Sequence, residues 1–232
     1  MTILAAPRVL ILETSSRIGQ VALALGDQVR GVRQLEEARR HTRDLAPATA
    51  VLLAEQGWRP RDIQAVIVSR GPGSYTGLRV GIMSAKTLAY ATGCALLAVD
   101  TFAALALQAP SSAPRVDVLA DAQQDKVYVQ SFVRAAEGWQ PSMELAIRRF
   151  ADWLAAHEPS AWVTGPGLLK WATHLSAEVP KVDASLWEPQ PASLLRIGLA
   201  RYRAGERDDP WMLEPLYLRP SSAEEQWRKR KS

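Results

Sequence analysis

The sequence predicts an α/β fold of two related lobes that enclose a central cleft. Short aliphatic runs typical of strands alternate with segments whose apolar residues recur at helical spacing. A strand, an acidic turn and a second strand occur around Glu13 and again around Asp121. A Gly-Pro-Gly turn also follows a strand twice, at residues 71–73 and 165–167, and a helix pattern begins after each. This internal repetition indicates a duplicated unit whose second copy is shorter.

The first half has a regular order of predicted elements that ends near residue 107. Aliphatic or alternating runs predict strands over residues 9–12, 20–25, 29–35, 63–68 and 95–99. Helical spacing predicts helices over residues 44–56, 75–91 and 101–107. Thr42 or Asp44 is the expected N-cap of the first helix, and Gly57 and Gly93 are the expected stops of the first two.

A small, proline-containing segment at residues 109–114 predicts the boundary between the halves. We therefore expect a first, partner-binding lobe at residues 1–108 and a second, trimmed lobe at residues 109–232. In the second lobe, the same patterns predict strands over residues 116–119, 127–133 and 161–163, and helices over residues 147–157, 168–175 and 191–203. Residues 213–218 are a candidate final strand, and a basic, solvated tail follows.

Composition restricts the class of protein. The chain has 232 residues, of which 47% are hydrophobic, and this is sufficient for a large packed core. The formal charge of +4 permits RNA contact without demanding it. The single cysteine excludes an intramolecular disulfide, and no apolar run reaches the roughly 18 residues of a spanning helix. We expect a soluble, cytoplasmic protein without membrane association.

The Gly-Pro-Gly-Ser segment of the first half is the strongest local motif. Gly71, Gly73, Ser74 and Thr76 stand before or within the start of a helix, where backbone amides and the helix dipole favour an anion or a nucleotide phosphate. The motif lacks the lysine of a Walker loop and the spacing of a dinucleotide fingerprint. The alternative is a tight turn in which the glycines supply unusual backbone angles and Ser74 caps the helix.

Acidic residues at two strand ends suggest a second kind of site. Glu13, followed by Thr14 and Ser15, is placed where a carboxylate can hold magnesium through water, and Asp121 has the equivalent place in the second half. A surface turn explains the same residues. Phosphoryl transfer also usually employs a nearby lysine or arginine, and the nearest here are Arg17 and Lys126.

The histidines do not form a recognisable metal motif. His41, His157 and His174 are far apart in sequence and make no HxxxH or HExxH pair, so we predict neither a metal site nor a cofactor. His41 is expected on the surface or at an interface. No GxSxG elbow for a nucleophilic serine is present. The arginine-rich segment at residues 36–44 and the basic tail could contact RNA phosphates, although such runs are more often solvated faces.

The segment GPGSYTGLRVGIMSAKTLAYATG resembles the TsaB family, also called YeaZ. The resemblance extends to LILETSSRIGQVALAL, RHTRDLAPATAVLLAEQG, LAVDTFAALA, ADAQQDKVYVQSF and LEPLYLRPSSAEEQW, and so covers most of the chain. It implies a duplicated actin-like ATPase fold and a role in making threonylcarbamoyladenosine in tRNA. It also implies pairing with the catalytic paralogue TsaD, and a TsaE-like ATPase as a further partner. Self-association of the free chain and direct tRNA contact remain open.

The resemblance further implies that this chain is a non-catalytic subunit. TsaD proteins carry a VHHMEGH-type segment whose histidines bind a catalytic metal, and the corresponding stretch here is VDTFAAL. Carried over by position, the metal ligands become Thr101 and Leu105, which are unsuitable. Two turns also depart from the TsaB pattern: Glu13 replaces the usual aspartate, and Asp121 begins a DAQ turn instead of a DAR turn. Two competing hypotheses are an ATP-dependent kinase or ATPase of the actin-like superfamily and a metalloprotease.

TsaB-type proteins pair with TsaD through helices of the first lobe, so the resemblance implies a partner interface on the first two helices. The second helix has small residues at four-residue spacing, which would let another helix approach closely. The alternative is that these glycines fit the helix against its own sheet. The predicted interface residues are Leu45, Thr49, Leu52, Gly77, Gly81, Met83 and Ala85.

Overall fold

A computed structural model describes residues 6–37, 41–136 and 138–218. Its first half forms a five-stranded sheet with strand order β3-β2-β1-β4-β5. β2 runs antiparallel to both of its neighbours, β1 and β3, whereas β4 and β5 run parallel to β1. The strands are β1 (Arg8–Glu13), β2 (Ile18–Leu25), β3 (Gln28–Glu37), β4 (Ala65–Gly71) and β5 (Ala95–Asp100), and the helices are α1 (His41–Glu55), α2 (Tyr75–Thr92) and α3 (Thr101–Ala106).

The second half repeats this topology in a shorter form. Its sheet has the order β10-β6-β7-β8, and β9 also pairs with β7. The β6–β7 and β7–β8 pairs are antiparallel and the β6–β10 pair is parallel, as in β1–β2, β2–β3 and β1–β4. The elements are β6 (Arg115–Asp121), β7 (Lys126–Ala135), β8 (Gly138–Pro141), β9 (Ala146–Arg149), α4 (Phe150–Ala156), β10 (Trp162–Thr164), α5 (Leu168–Trp171) and α6 (Pro191–Arg203). The predicted duplicated α/β architecture is therefore confirmed.

The first sheet is buried on both faces, which explains why β1 and β4 are continuous aliphatic runs. Successive side chains of a strand point to opposite faces. Leu10 and Leu12 of β1 accordingly pack in a cluster with residues of α1 and α2. Val9 and Ile11 pack in a second cluster with Leu194, Leu195 and Leu199 of α6.

Helix α6 joins the first sheet although it follows the second sheet in sequence. Its Gly198 lies so close to Ile67 of β4 that an added Cβ would be 2.6 Å from the nearest Ile67 atom. The chain thus crosses between the lobes twice, once after α3 and once before α6. The proposed boundary after residue 108 coincides with the first crossing, and the division into lobes stays a prediction.

The outer edge of β5 is covered by α6 and by the segment that follows it. The amide of Ala98 donates to Asp208 Oδ2 over 2.6 Å, and Arg201 Nη1 donates to the Ala98 carbonyl over 2.6 Å. The amide of Asp208 donates to the carbonyl of Leu96. Arg201 and Asp208 are themselves joined by an ion pair of 3.1 Å. Backbone groups that an edge strand leaves free are therefore satisfied within the chain.

The predicted element boundaries need four corrections. Residues 147–157 begin as strand β9, because residues 146–149 pair with β7, and only then form α4. Residues 213–218 form no strand, although the Leu216 amide donates to the Arg70 carbonyl. Residues 168–175 form only the short α5 and a 3₁₀ turn. Helix α1 begins at His41, so Thr42 and Asp44 lie inside it and Pro47 is a helix-interior proline.

The basic tail and residues 38–40 lie outside the described residues. Across the described ranges, no helix combines the length and the apolar character that crossing a bilayer requires.

Candidate functional site

A cleft of about 700 Å³ lies between the two lobes. It is formed by the loops that follow β1, β4, β6 and β10, and ligands of open α/β sheets bind at such carboxyl ends of strands. The first lobe contributes Ser15, Ser16, Arg17 and residues 72–76, and the second contributes residues 120–123, Tyr128, Pro166 and Leu169. Glu188 and residues 216–218 complete the lining.

Glu13 is fully buried and does not line the cleft. One of its carboxylate oxygens, Oε1, accepts hydrogen bonds from the amide and the hydroxyl of Ser15. The other oxygen, Oε2, has no hydrogen-bond partner among the described residues. Burial raises the pKa of Glu13 from 4.5 to about 7. A carboxyl group with this pKa is only partly ionised near neutral pH, and Glu13 is not among the residues that line the cleft.

We expect Glu13→Gln to stabilise the protein more at pH 8 than at pH 5. Because the folded-state pKa is raised, the stability contributed by neutral Glu13 is complete below pH 4.5 and falls as the pH rises towards 7. Glutamine resembles the neutral form, so its advantage over the wild type should grow by roughly 2 kcal/mol between these pH values. Urea denaturation at both pH values measures it, with exposed Glu178→Gln as the control. An advantage that does not change with pH would contradict this expectation.

Thr14 explains the glycines of α2. An added Cβ at Gly77 would be 2.0 Å from the Thr14 carbonyl oxygen, and one at Gly81 would be 2.1 Å from Thr14 Oγ1. Thr14 itself is fully buried. The small residues therefore allow α2 to lie directly on the turn after β1, which is the alternative given above for their spacing.

The Gly-Pro-Gly-Ser loop is also packed against this turn. The Ser74 amide donates to the Ser15 carbonyl over 2.6 Å, and an added Cβ at Gly73 would be 2.3 Å from the same oxygen. Ser74 Oγ accepts from the Gly77 amide and so caps α2. Gly71 has a φ of 116°, which glycine tolerates. These contacts favour the tight-turn interpretation over the anion site. Of the nominated residues, Ser15, Gly73, Ser74 and Thr76 line the cleft, whereas Glu13, Thr14 and Gly71 do not.

The acidic turn of the second lobe differs from its counterpart. Asp121 is exposed, pairs with Lys170 over 3.3 Å and accepts from the Gln123 amide over 3.1 Å. Residues 123–125 all have positive φ although none is glycine. Glu13 and Asp121 have equivalent places in sequence but different surroundings, because one carboxylate is buried within the first lobe and the other belongs to an exposed ion pair.

Glu188 is a cleft residue that the sequence analysis did not identify. Its Oε2 is buried without a hydrogen-bond partner among the described residues. Burial raises its pKa, while Ser16 and Arg17 act in the opposite direction. It lies on the chain segment that leads to α6, far in sequence from the motifs around Glu13 and Gly71. No local pattern in that segment could have indicated its place.

The cleft does not fit the magnesium and nucleotide that an actin-like fold implies. Glu13 is buried, the Ser74 amide is already bonded, and Lys170 is paired with Asp121. Within the part of the chain that the structure describes, no three His, Cys, Asp or Glu side chains are grouped to hold a metal ion. His157 bonds to Asp117 and His174 contacts the Phe150 and Trp171 rings. The side chain of His41 is outside the described set.

Most of the proposed interface residues face inward. Leu45, Leu52, Gly77, Gly81 and Ala85 are buried within the first lobe, and half-buried Thr49 donates to the Leu45 carbonyl. Met83 is the exception, with 58% of its surface exposed. The outward sides of the two helices include a set of exposed small or apolar residues and one threonine, which we call the α1–α2 face: Ala46, Pro47, Ala50, Val51, Ala54, Met83, Thr87 and Tyr90.

A shallow apolar groove of about 250 Å³ continues this face. It lies between α2 and the turn after α6, and it is lined by Met83, Lys86, Thr87, Tyr90, Pro210 and Trp211. The rings of Tyr90 and Trp211 are in edge contact at 5.7 Å, yet 76% of each residue is exposed. Exposed apolar surface of this kind marks interaction sites.

Comparisons with known proteins agree with this architecture. The family model described as TsaD, tRNA N6-adenosine threonylcarbamoyltransferase, matches residues 21–226. The chain is 30% identical to the tRNA threonylcarbamoyladenosine biosynthesis protein TsaB of Escherichia coli, over 96% of this chain and 97% of that protein. It is 26% identical to TsaB of Haemophilus influenzae, with 90% and 92% covered. The structure of YeaZ from Pseudomonas aeruginosa matches with a TM-score of 0.77 and 26% identity, over 91% of this chain and 100% of that one.

Proposed function

Because the chain belongs to the TsaB (YeaZ) family, within the wider family that the TsaD model describes, we propose that it acts in the biosynthesis of threonylcarbamoyladenosine in tRNA. In this proposal it binds and activates a TsaD-like catalytic subunit and carries out no bond chemistry itself. A TsaE-like ATPase is a further component of the proposed assembly.

The observation that carries the proposal is the α1–α2 face. On α1, five of the seven exposed described positions are alanine, proline or valine, and the two exposed charged residues, Arg43 and Glu55, lie near the ends of the helix. On α2, Met83 and Tyr90 are exposed large side chains of the kind enriched in interfaces. A flat, small-residue helix beside protruding anchors suits the docking of another helical surface.

The absence of catalysis is supported by the positions that correspond to the metal ligands of the paralogue. Thr101 is 2% exposed and Leu105 is fully buried, and both belong to α3, which packs between the sheets. Leu105 lies in an apolar cluster with Val116 and Phe132 of the second sheet. These positions serve the core. The competing kinase or ATPase function lacks support for the same reason that the cleft does not fit a nucleotide with its metal.

Reconstitution tests the proposal. The TsaD-like subunit, a TsaE-like ATPase, tRNA and the threonylcarbamoyl donor are combined with and without this chain, and modified adenosine is measured by mass spectrometry. We expect product only when the chain is present, and no ATP hydrolysis by the chain alone. Product formation at the same rate without the chain would refute the proposal.

We expect Met83→Asp to weaken binding to the TsaD-like subunit by about tenfold or more. The substitution places a charge on the α1–α2 face, where binding would remove it from water. Since Met83 is largely exposed in the free chain, the substitution should not change the melting temperature of the protein. Calorimetric titration measures the affinity and circular dichroism measures the melting.

Leu169→Asp is the matched control, because Leu169 is 60% exposed but lies on the second lobe. If Leu169→Asp weakens binding and Met83→Asp does not, the partner docks elsewhere. The same pair of variants, examined by sedimentation, tests whether the free chain associates with itself through this face. Direct RNA contact is tested by measuring tRNA binding in the presence and in the absence of this chain.

A further inference from the structure

The two segments that join the lobes run side by side. The first, residues 107–114, leads from α3 to β6, and the second, residues 187–190, leads from the second lobe back to α6. Among the described residues these are the covalent links between the lobes. Any change in the relative orientation of the lobes therefore has to bend both segments or slide the elements packed beside them.

The side chain of Gln108 clamps the two links together. Its Nε2 donates to the carbonyls of Leu186 over 2.7 Å and Glu188 over 3.0 Å, and its Oε1 accepts from the Gln190 amide over 2.8 Å. The side-chain amide of Gln108 therefore uses both of its donor hydrogens and its acceptor oxygen on one stretch of backbone, residues 186–190. The bonded groups span the last turn of the second lobe and the N-cap of α6.

The clamped segment reaches the cleft. Glu188, whose carbonyl accepts from Gln108, is one of the residues that line the cleft. The neighbouring carbonyl of Pro189 accepts from Gln20 Nε2 of β2 over 3.2 Å. The position of this segment is therefore tied to the first sheet on one side and to the first link on the other.

The packing of α3 is shallower against the first sheet than against the second. Helix α3 lies between the two sheets: its Phe102, Leu105 and Ala106 belong to the apolar cluster of the second sheet, whereas Ala104 belongs to that of the first. Alanine surfaces interlock less deeply than those of larger residues, so they oppose a shear of one layer over another less strongly. Apolar packing thus resists the sliding of α3 over the first sheet only weakly, and directional hydrogen bonds would have to prevent it.

We infer that Gln108 clamps a hinge between the two lobes and thereby sets the width of the cleft. The inference does not depend on the proposed function, because it concerns the free chain. Gln108→Glu keeps the size of the side chain but places a carboxylate oxygen against the carbonyls of Leu186 and Glu188. The clamp should then open. Gln108→Ala removes all three hydrogen bonds.

Distance measurements between spin labels test the clamp. Cys94 is the single cysteine, so a Cys94→Ala background accepts labels only at introduced cysteines. Thr76→Cys and Leu169→Cys lie on opposite sides of the cleft, and Thr76→Cys with Ala50→Cys gives a pair within the first lobe. In both Gln108 variants we expect the distance across the cleft to change by more than about 2 Å with a broader distribution. The pair within the first lobe should be unchanged.

Gln64→Ala is the matched control, because Gln64 Oε1 also accepts from a backbone amide, that of Arg8, but within the first lobe. It should leave both distances unchanged. A folded Gln108→Glu protein with the wild-type distance across the cleft would overturn the inference. So would the loss of folding in both Gln108 variants, since Gln108 would then be part of the core.

Discussion

Replacing Asp117 with alanine is expected to lower the free energy of unfolding by about 3–5 kcal/mol, because it breaks a buried, charged hydrogen-bond network. Asp117 on β6 is 3% exposed. Its oxygens accept from Ser131 Oγ over 2.6 Å and from Trp153 Nε1 over 3.1 Å. The ring Nδ1 of His157 lies 3.0 Å from Asp117 Oδ2. Alanine would leave these polar groups buried without a partner, and this costs more than the loss of the bonds themselves.

The charge state of Asp117 determines how this network responds to pH. Burial raises the pKa of Asp117. The hydrogen bonds with His157, Ser131 and Trp153 and the charge interaction with His157 lower this pKa, and together they outweigh burial, so the pKa lies below its ordinary value. The stability contributed by the ionised carboxylate is therefore present above the pKa of the unfolded chain. It is lost as the pH falls through the lower, folded-state pKa.

Thermal melting at neutral pH measures the effect, and a chain of this size should melt roughly 6–20 °C lower. Asp183→Ala is the matched control. Asp183 also accepts from a serine, Ser185, but it is exposed. A melting temperature within about 2 °C of the wild type for Asp117→Ala would show that the network does not support the fold.

Gly77→Ala is expected to destabilise the first lobe by about 2 kcal/mol, although alanine is the better helix former. The intrinsic preference for alanine inside a helix is only about 1 kcal/mol. Against it, the new methyl group would be 2.0 Å from the carbonyl oxygen of Thr14, a backbone atom that cannot rotate away. Overpacking of this kind costs about 1–3 kcal/mol and at times more, so the clash exceeds the propensity.

Urea denaturation measures the difference, with Thr87→Ala on the exposed side of α2 as the control. The same geometry applies to Gly81→Arg, whose Cβ alone would overlap Thr14 Oγ1. That variant should fail to fold, so it cannot report on partner binding. An unchanged stability of Gly77→Ala would mean that α2 does not lie as close to the turn after β1 as described.

Elements defined by local patterns were predictable from the sequence, whereas those that depend on distant partners were not. The strand β1 is a continuous aliphatic run, and α2 ends at Gly93 with a φ of 73°, as expected. Strand β9 was missed because residues 146–149 become a strand only by pairing with β7, and their own pattern is ambiguous.

The candidate site shows the same limit. Four-residue spacing of small residues on α2 indicates close approach, but it cannot distinguish a partner's helix from the chain's own Thr14. The burial of Glu13 and the position of Glu188 in the cleft likewise depend on the packing of distant segments. The sequence thus indicated the turns after β1 and β4, while the direction of each side chain followed from tertiary structure.

The covered edge of β5 has a consequence for the order in which the protein is made. Ribosomal synthesis releases the strands of the first sheet long before Arg201 and Asp208 emerge. Until then the Ala98 amide and carbonyl are open to pairing with any other extended chain, including a second nascent copy. The α6 side of the same sheet also stays uncovered over this interval. The nascent first half is therefore exposed to aggregation until α6, with Arg201, and Asp208 have been synthesised and pack against it.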